Sequence, residues 1–412
     1  MHFFLAHIDK VQLLFIFMNS FLLSRLLIVT KIPERLVLYA IGKQHLPITQ
    51  IALYVIVISA ALSFFIPNMI TVLTLLPLIK LLCRTFEEAL PQRYREIETL
   101  LPLALIYGAN IGGLGSIVGT PANGIMVLYA TLYDLPGTEL LSFELWLAWG
   151  IPMVIALIVL AWAVLTVTFR LWNYQNDLVQ VTFERTDATH PRQRTALTIT
   201  AIFFTLSVLF SILMKTSSDE LGVLAATGLS TIILLLVLFF PTRSSTATAP
   251  DRLLLLRDCY SNLPWRGVVL IGIILVFIGI GAIFHVQDYI IIMFKSALSQ
   301  QLPLFLFYVV VAALTSFSTE IFSNTVVQIA MFLVVRPLFG PESPIVIQTF
   351  LVITFACTSA FMTPIATGVN GLAFGEMKGI SLLEMIGTGF VMKVFSILII
   401  AFGAPYLFSL FL

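Results

Sequence analysis

The segment 318–337, STEIFSNTVVQIAMFLVVRP, sets a polar knot, Ser323-Asn324-Thr325, between two apolar runs that are each too short to cross a bilayer alone. Few folds accept that pattern. At membrane depth a backbone leaves helical pairing only where protein buries it or where it lines a cavity. The knot therefore reads either as a capped tight hairpin or as a binding site. A helix restarting after it turns its free N–H groups and positive dipole end toward the break, which suits an anion.

A second copy favours the binding site. Shifting the numbering by 256 brings Leu302-Pro303 onto Leu46-Pro47, Asn324 onto Asn68 and Arg336 onto Lys80. Further along, GANIGGLGSIVGTPANGIMV (108–127) and ACTSAFMTPIATGVNGLAFG (356–375) align Thr120 with Thr367 and Asn123 with Asn370, both 247 apart. The difference between the two shifts fits a longer linker around 84–98. Two interrupted hydrophobic segments at matching places in each half point to a secondary transporter with its site near the midplane.

Composition sets the same class. Hydrophobic residues make up 59% of the chain and charged residues 10%, where a soluble domain has roughly 25% charged. The fold class expected is an all-α polytopic membrane protein. A net charge of +1 provides no field for nucleic acid. Cys83, Cys259 and Cys357 lack zinc-type spacing and read as apolar fillers. The five histidines are scattered, and no nucleophile with a base and no metal cluster is visible, so an enzyme has no support and no cofactor is implied.

In order, the chain predicts a span at 11–29, an amphipathic interfacial piece at 30–46, and a first hairpin at 47–83 broken at Pro67-Asn68-Met69. A polar stretch, 84–98, is expected in water. A broken helix follows at 99–132, where Gly112-Gly113-Leu114-Gly115-Ser116 and Gly119-Thr120-Pro121 allow an unwound turn whose carbonyls face a cation. Asp134, Glu139 and Glu144 mark an aqueous loop, and a span at 146–170 has Trp146 and Trp172 as interfacial anchors. Spans at 196–214 and 221–241 and a polar amphipathic stretch at 242–266 come next. The second half repeats the plan: span 267–285, interfacial piece 286–300, hairpin 302–336, broken helix 345–374 and last span 385–410. The chain so divides into a first repeat, 1–172, a cytoplasmic linker, 173–195, and a second repeat, 196–412.

Counting lysines and arginines orients the halves. With both ends of the first hairpin facing the cytoplasm, sixteen fall inside and three, Lys215, Lys295 and Arg336, outside, with Lys10, Arg25 and Lys393 left unassigned. The two repeats are then inverted, with re-entrant hairpins opening to opposite sides and the C-terminus outside.

A buried anion needs compensation, yet no Lys or Arg sits within either break. Half-helix N-termini, bound cations and the polar groups of Asn68, Ser323, Asn324, Thr325, Thr120 and Thr367 would supply it. Glu320 reads as a structural hydrogen-bond acceptor near the rim, or else as a proton or cation partner. Lys393 snorkels or pairs within the protein.

The phrases TEIFSNT, GGLGSIVGTPAN and SAFMTPIATGVN, in this order, resemble the divalent anion:sodium symporter family of the ion transporter superfamily, from about residue 11 to the C-terminus. The resemblance implies sodium-coupled uptake of a small divalent anion, a dicarboxylate first, by an elevator-like movement in a bacterial inner membrane. It assigns Asn68, Ser323, Asn324, Thr325, Thr367 and Thr120 to the substrate. Sodium falls to Gly113, Asn68, Thr120 and Asn123 in one half, and to Asn324, Ala366, Thr367 and Asn370 in the other. The 11–29 run matches the helix just before the first hairpin, so further upstream helices, which contribute to homodimer contacts, are expected in a longer chain. Two departures stand out. Pro67-Asn68-Met69 replaces S-N-T, losing two hydroxyls and one N–H, and Gly368-Val369 stands where two prolines are common. The first-half site is therefore expected to be the weaker. A proton-coupled or uncoupled carrier of sulfate or citrate, and a degenerate non-transporting member, remain the alternatives.

Overall fold

A computed structural model describes residues 8–33, 35, 45–89, 94–174, 179–180, 191–240, 252–260, 302–340, 343–377 and 379–411. Fourteen helices are found there: α1 (Ile8–Val29), α2 (Ile48–Ser63), α3 (Asn68–Ala89), α4 (Tyr94–Gly112), α5 (Pro121–Leu132), α6 (Phe143–Thr168), α7 (Pro191–Thr216), α8 (Glu220–Phe239), α9 (Leu256–Tyr260), α10 (Leu304–Ser318), α11 (Asn324–Val335), α12 (Ile345–Thr358), α13 (Gly368–Glu376) and α14 (Leu382–Ser409). Three short 3-10 turns (Thr138–Leu140, Leu171–Tyr174 and Arg336–Leu338) and a two-residue antiparallel pairing of β1 (His45–Leu46) with β2 (Val179–Gln180) complete the regular elements among the described residues.

Six of these helices, α1, α3, α6, α7, α8 and α14, are long and apolar enough to cross a membrane. Their outer faces expose large aliphatics such as Ile155 and Val159 on α6, Ile202 and Leu209 on α7, and Ile232 and Leu236 on α8. Lipid accepts that surface, where water would not. The interrupted elements lie inside. Leu100 to Ile111 of α4 and Phe350 to Thr358 of α12 are buried throughout, at the centre of one continuous core.

Small residues permit the tightest of these packings. A Cβ at Gly108 or Gly112 of α4 would land on backbone of α2, at Ile56 and Ala60 respectively. The two helices can thus approach backbone to backbone, as small-xxx-small seams do in membranes. α1, α7 and α8 pack on one another at the side of this core, tied by the Gln12 amide, which donates to the Phe210 carbonyl and the Thr227 hydroxyl.

Both predicted interruptions of each half are real interruptions. Helix is lost at 64–67 and 113–120 in the first half, and at 319–323 and 359–367 in the second. Three expectations need correction. The 84–98 stretch is mostly helical: α3 runs to Ala89 and α4 starts at Tyr94, with Arg84, Glu87, Glu88, Arg95 and Glu96 exposed while Phe86 packs into the core. Trp146 is no interfacial anchor. It is fully buried and its Nε1 donates to the Leu114 carbonyl at 3.0 Å, holding the 113–120 loop. Glu144 is half-buried and bonded to Ser142, Ser211 and Lys215, so it is not a loop carboxylate in bulk water. Most of the 242–266 stretch, of 30–46 and of the linker 173–195, and all of 267–300 lie outside the described residues; of 242–266, residues 252–260 are described and contain α9.

Candidate functional site

The two loops are built by the same device. In the first half the Asn123 amide donates to the carbonyls of Gly113 (2.9 Å) and Ser116 (2.7 Å). In the second, Asn370 donates to Ala360 (3.2 Å) and Thr363 (2.9 Å). Each asparagine stands three residues after the N-cap threonine of a short helix, Thr120 for α5 and Thr367 for α13. Both are fully buried. The loop hydroxyl then bonds the hairpin break: Ser116 to the Phe64 carbonyl (2.6 Å), and Thr363 to the Glu320 carbonyl (3.1 Å). Loop and hairpin break are thereby one unit in each half, at partners displaced by the same shifts that the sequence shows.

Helix N-termini gather at these units. α3 begins at Asn68, α5 at Pro121, α11 at Asn324 and α13 at Gly368. Asn68 lies over Gly113, where a Cβ would be 2.6 Å from its Oδ1, and that oxygen accepts from Ser63 at 2.6 Å. Met69 reaches across to α13, its sulfur 3.4 Å from where a Cβ of Gly368 would sit. On the other side Gln328 of α11 donates to the Ala122 carbonyl of α5 (2.8 Å) and the Thr354 hydroxyl of α12 (3.0 Å). Each half-helix start of one repeat is so packed against a helix of the other.

The predicted residues divide as follows. Asn68, Gly113 and Asn123 come together around the first loop. Thr367 and Asn370 come together around the second, the Thr367 hydroxyl donating to Asn370 Oδ1 at 3.0 Å and accepting from its N–H. Ala366 sits in that loop, buried, its N–H donating to Thr363. Thr120 caps α5 without a side-chain bond to the helix. Ser323, Asn324 and Thr325 are half-buried at the start of α11, and Ser323 likewise makes no capping bond, so its hydroxyl is free of the helix it precedes. Two buried oxygens, Asn123 Oδ1 and Asn324 Oδ1, have no hydrogen-bond partner. An unpaired carbonyl-type oxygen in a dry interior is a natural ligand for a hard cation. No group of three or more His, Cys, Asp or Glu that could hold a transition metal occurs among the described residues.

One contributing residue, Asn110, carried no role in the sequence reading. Asn110 of α4 donates to the Ala360 carbonyl (2.9 Å) and to Asn370 Oδ1 (3.2 Å), joining the helix that leads into the first loop to the second loop. A lone Asn inside the apolar run of α4 was the available signal, since such a group in a membrane helix demands a partner. Glu320 is not at a rim: it is 5% exposed. Its carboxylate accepts from the N–H groups of Phe361, Met362 and Thr363 and from the Thr363 hydroxyl, and it pairs with Lys393 at 2.9 Å. Lys393 therefore pairs rather than snorkels.

At the outer ends, Lys80 of α3 bonds Glu376 of α13 at 2.6 Å, and Arg336, just past α11, lies 3.8 Å over the Tyr133 ring beyond α5. The hydrogen bond from Lys80, and then its charge, holds the Glu376 carboxyl below the usual carboxylate range.

Residues 3–346 match the family described as citrate transporter. An uncharacterized transporter of Haemophilus influenzae is 25% identical over 402 residues, covering 94% of this chain and 79% of the relative. Sodium-dependent dicarboxylate transporter SdcS of Staphylococcus saprophyticus is 22% identical over 416 residues, with 96% and 76% covered. The protein of that name from Staphylococcus aureus is 25% identical over 430 residues, with 97% and 77% covered.

Proposed function

The chain belongs to the citrate transporter family, and on that premise we propose that it carries a small divalent anion, a dicarboxylate first, across a bacterial plasma membrane with sodium as coupling ion. It is an integral membrane protein and a transporter, not an enzyme. One observation carries the reading. Four helices, α3, α5, α11 and α13, begin in the interior at breaks that present Asn, Ser and Thr but no Lys or Arg. Their N–H groups and dipole ends favour an anion without a permanent countercharge, and that is what release on the far side requires.

Within this reading, residues 1–172 and 196–412 are inverted repeats joined by a cytoplasmic linker, with re-entrant hairpins α2–α3 and α10–α11 and the C-terminus outside. Asn68, Thr120, Ser323, Asn324, Thr325 and Thr367 bind substrate. Gly113, Asn68, Thr120 and Asn123 hold one sodium ion, and Asn324, Ala366 and Asn370 hold another; the unpaired Asn123 and Asn324 oxygens support these assignments. Sodium neutralises the anion's charge at the midplane, and the hairpin-bearing body moves against the α1, α7 and α8 cluster to change its exposure. The names of the staphylococcal relatives support sodium and dicarboxylate.

The deciding experiment is uptake of radiolabelled succinate into proteoliposomes with an inward sodium gradient, against potassium and a proton gradient. Uptake driven by sodium is expected. Equal uptake under all three conditions would sink the coupling, and transport of citrate or sulfate but not succinate would move the substrate. Pro67, which brings neither a hydroxyl nor an N–H to the first break, favours the second reading of a proton-coupled or uncoupled carrier.

A further inference from the structure

Lys393 sits in the middle of α14 with 0% exposure, and its ammonium touches oxygen on several sides. It donates to the carbonyl of Ser316, the hydroxyl of Ser316 (2.9 Å), the carbonyl of Ser359 (2.8 Å) and a carboxylate oxygen of Glu320 (2.9 Å). Ser316 lies in the last turn of α10, and Ser359 is the C-cap of α12. The ammonium thus occupies the negative ends of both interrupted elements of the second half at once. Carbonyls at the ends of broken helices are the ligands by which secondary transporters hold coupling cations.

The first half closes the same place without charge. Gly150 and Gly389 each let the helix after the loop approach loop backbone, at Gly115 and Phe361. Four residues further along stand Val154 and Lys393. Val154 and the Phe64 ring share the surface of Gly115, and Phe64 holds in its hairpin the place that Glu320 holds in the other. The architecture is therefore satisfied by an apolar pair, which commonly serves stability as well as a buried ion pair does.

We propose that Lys393 is a resident cation, tethered in a sodium-type shell at the C-terminal ends of α10 and α12, and that this shell accepts a mobile sodium ion once the ammonium is removed. The shell uses oxygens different from those of the Asn324 set, and the assignment rests on the transporter reading above. Without the ammonium, the buried Glu320 carboxylate keeps the N–H groups of 361–363 and the Thr363 hydroxyl but has no formal positive charge against it, a state that a small cation relieves.

Thermal unfolding of the detergent-purified chain, titrated with sodium against choline, tests this in wild type, Lys393→Met and the double variant Lys393→Met with Glu320→Gln. Lys393→Met should show a sodium-dependent rise in midpoint with half-effect at a concentration at least about tenfold below wild type. The double variant should return to the wild-type response. Equal sodium responses in Lys393→Met and wild type overturn the proposal. So does a Lys393→Met chain that stays unfolded in sodium, because sodium then cannot stand in for the ammonium. Failure of the double variant to fold overturns it too, since an uncharged filling suffices in the first half. Sodium-driven uptake by wild type is scored separately; its absence counts against the transporter reading and leaves this binding test intact.

Discussion

Asn123 and Asn370 make the same pair of hydrogen bonds in the two halves, each tying two break carbonyls three residues apart, Gly113 and Ser116 or Ala360 and Thr363, to a helix start. Truncation to alanine removes two buried hydrogen bonds from either loop. Each variant should lose about 1–3 kcal/mol of stability. Asn370→Ala should be the more damaging, because Asn110 loses an acceptor with it. Thermal unfolding in detergent gives the order, and equal midpoints would contradict it.

Gly112 and Gly124 differ in what a methyl would meet. At Gly112 it would strike the backbone of Ala60, which cannot step aside, whereas at Gly124 the nearest atom is a Phe17 ring carbon at 3.6 Å. Gly112→Ala should cost about 1–3 kcal/mol through overpacking of α2 on α4. Gly124→Ala should be neutral or stabilising by up to about 1 kcal/mol, since alanine is the better helix former. Yield of folded protein and unfolding midpoints check the pair.

The first hairpin break is short of hydroxyls. Restoring them with Pro67→Ser and Met69→Thr should lower the half-saturating sodium concentration for uptake by about threefold or more, if each new donor adds on the order of 0.5–1.5 kcal/mol. Uptake against sodium concentration reads this out. An unchanged curve, or a wild-type chain already showing full, steep sodium coupling, would remove the idea of a weakened first site.

Glu376 gives the acid side of the pH profile a small term. Its folded carboxyl is held below the ordinary range by Lys80, so the stabilisation is present above the unfolded-state value and is lost as pH falls through the folded one. Both partners are well exposed, 38% for Lys80 and 54% for Glu376, and such pairs contribute little. Glu376→Gln should flatten the acid limb slightly and leave stability at neutral pH nearly unchanged, by unfolding midpoints across that range.

The breaks were legible because each is a local event. Asn68 and Asn324 open α3 and α11, and Thr120 and Thr367 cap α5 and α13, at positions where polar and helix-starting residues interrupt apolar runs too short to span. What escaped the sequence is tertiary. Glu320 and Lys393 lie in separate elements, and nothing in either segment announces that the loop 359–367 folds between them. Trp146 looked like an interfacial anchor from its place near the start of a span, but the 113–120 loop folds back over it and takes its N–H. The buried ends of helices that other helices cover cannot be told from wet ones by position along the chain alone.

Asn110 has no twin: the matching position in the second half is Cys357, which bonds only within its own helix. The two halves share their breaks and loop bonds, but they are not interchangeable parts. A tandem built from two second halves would lack the amide that joins the helix of one half to the loop of the other, and one built from two first halves would bring two such amides to a single seam.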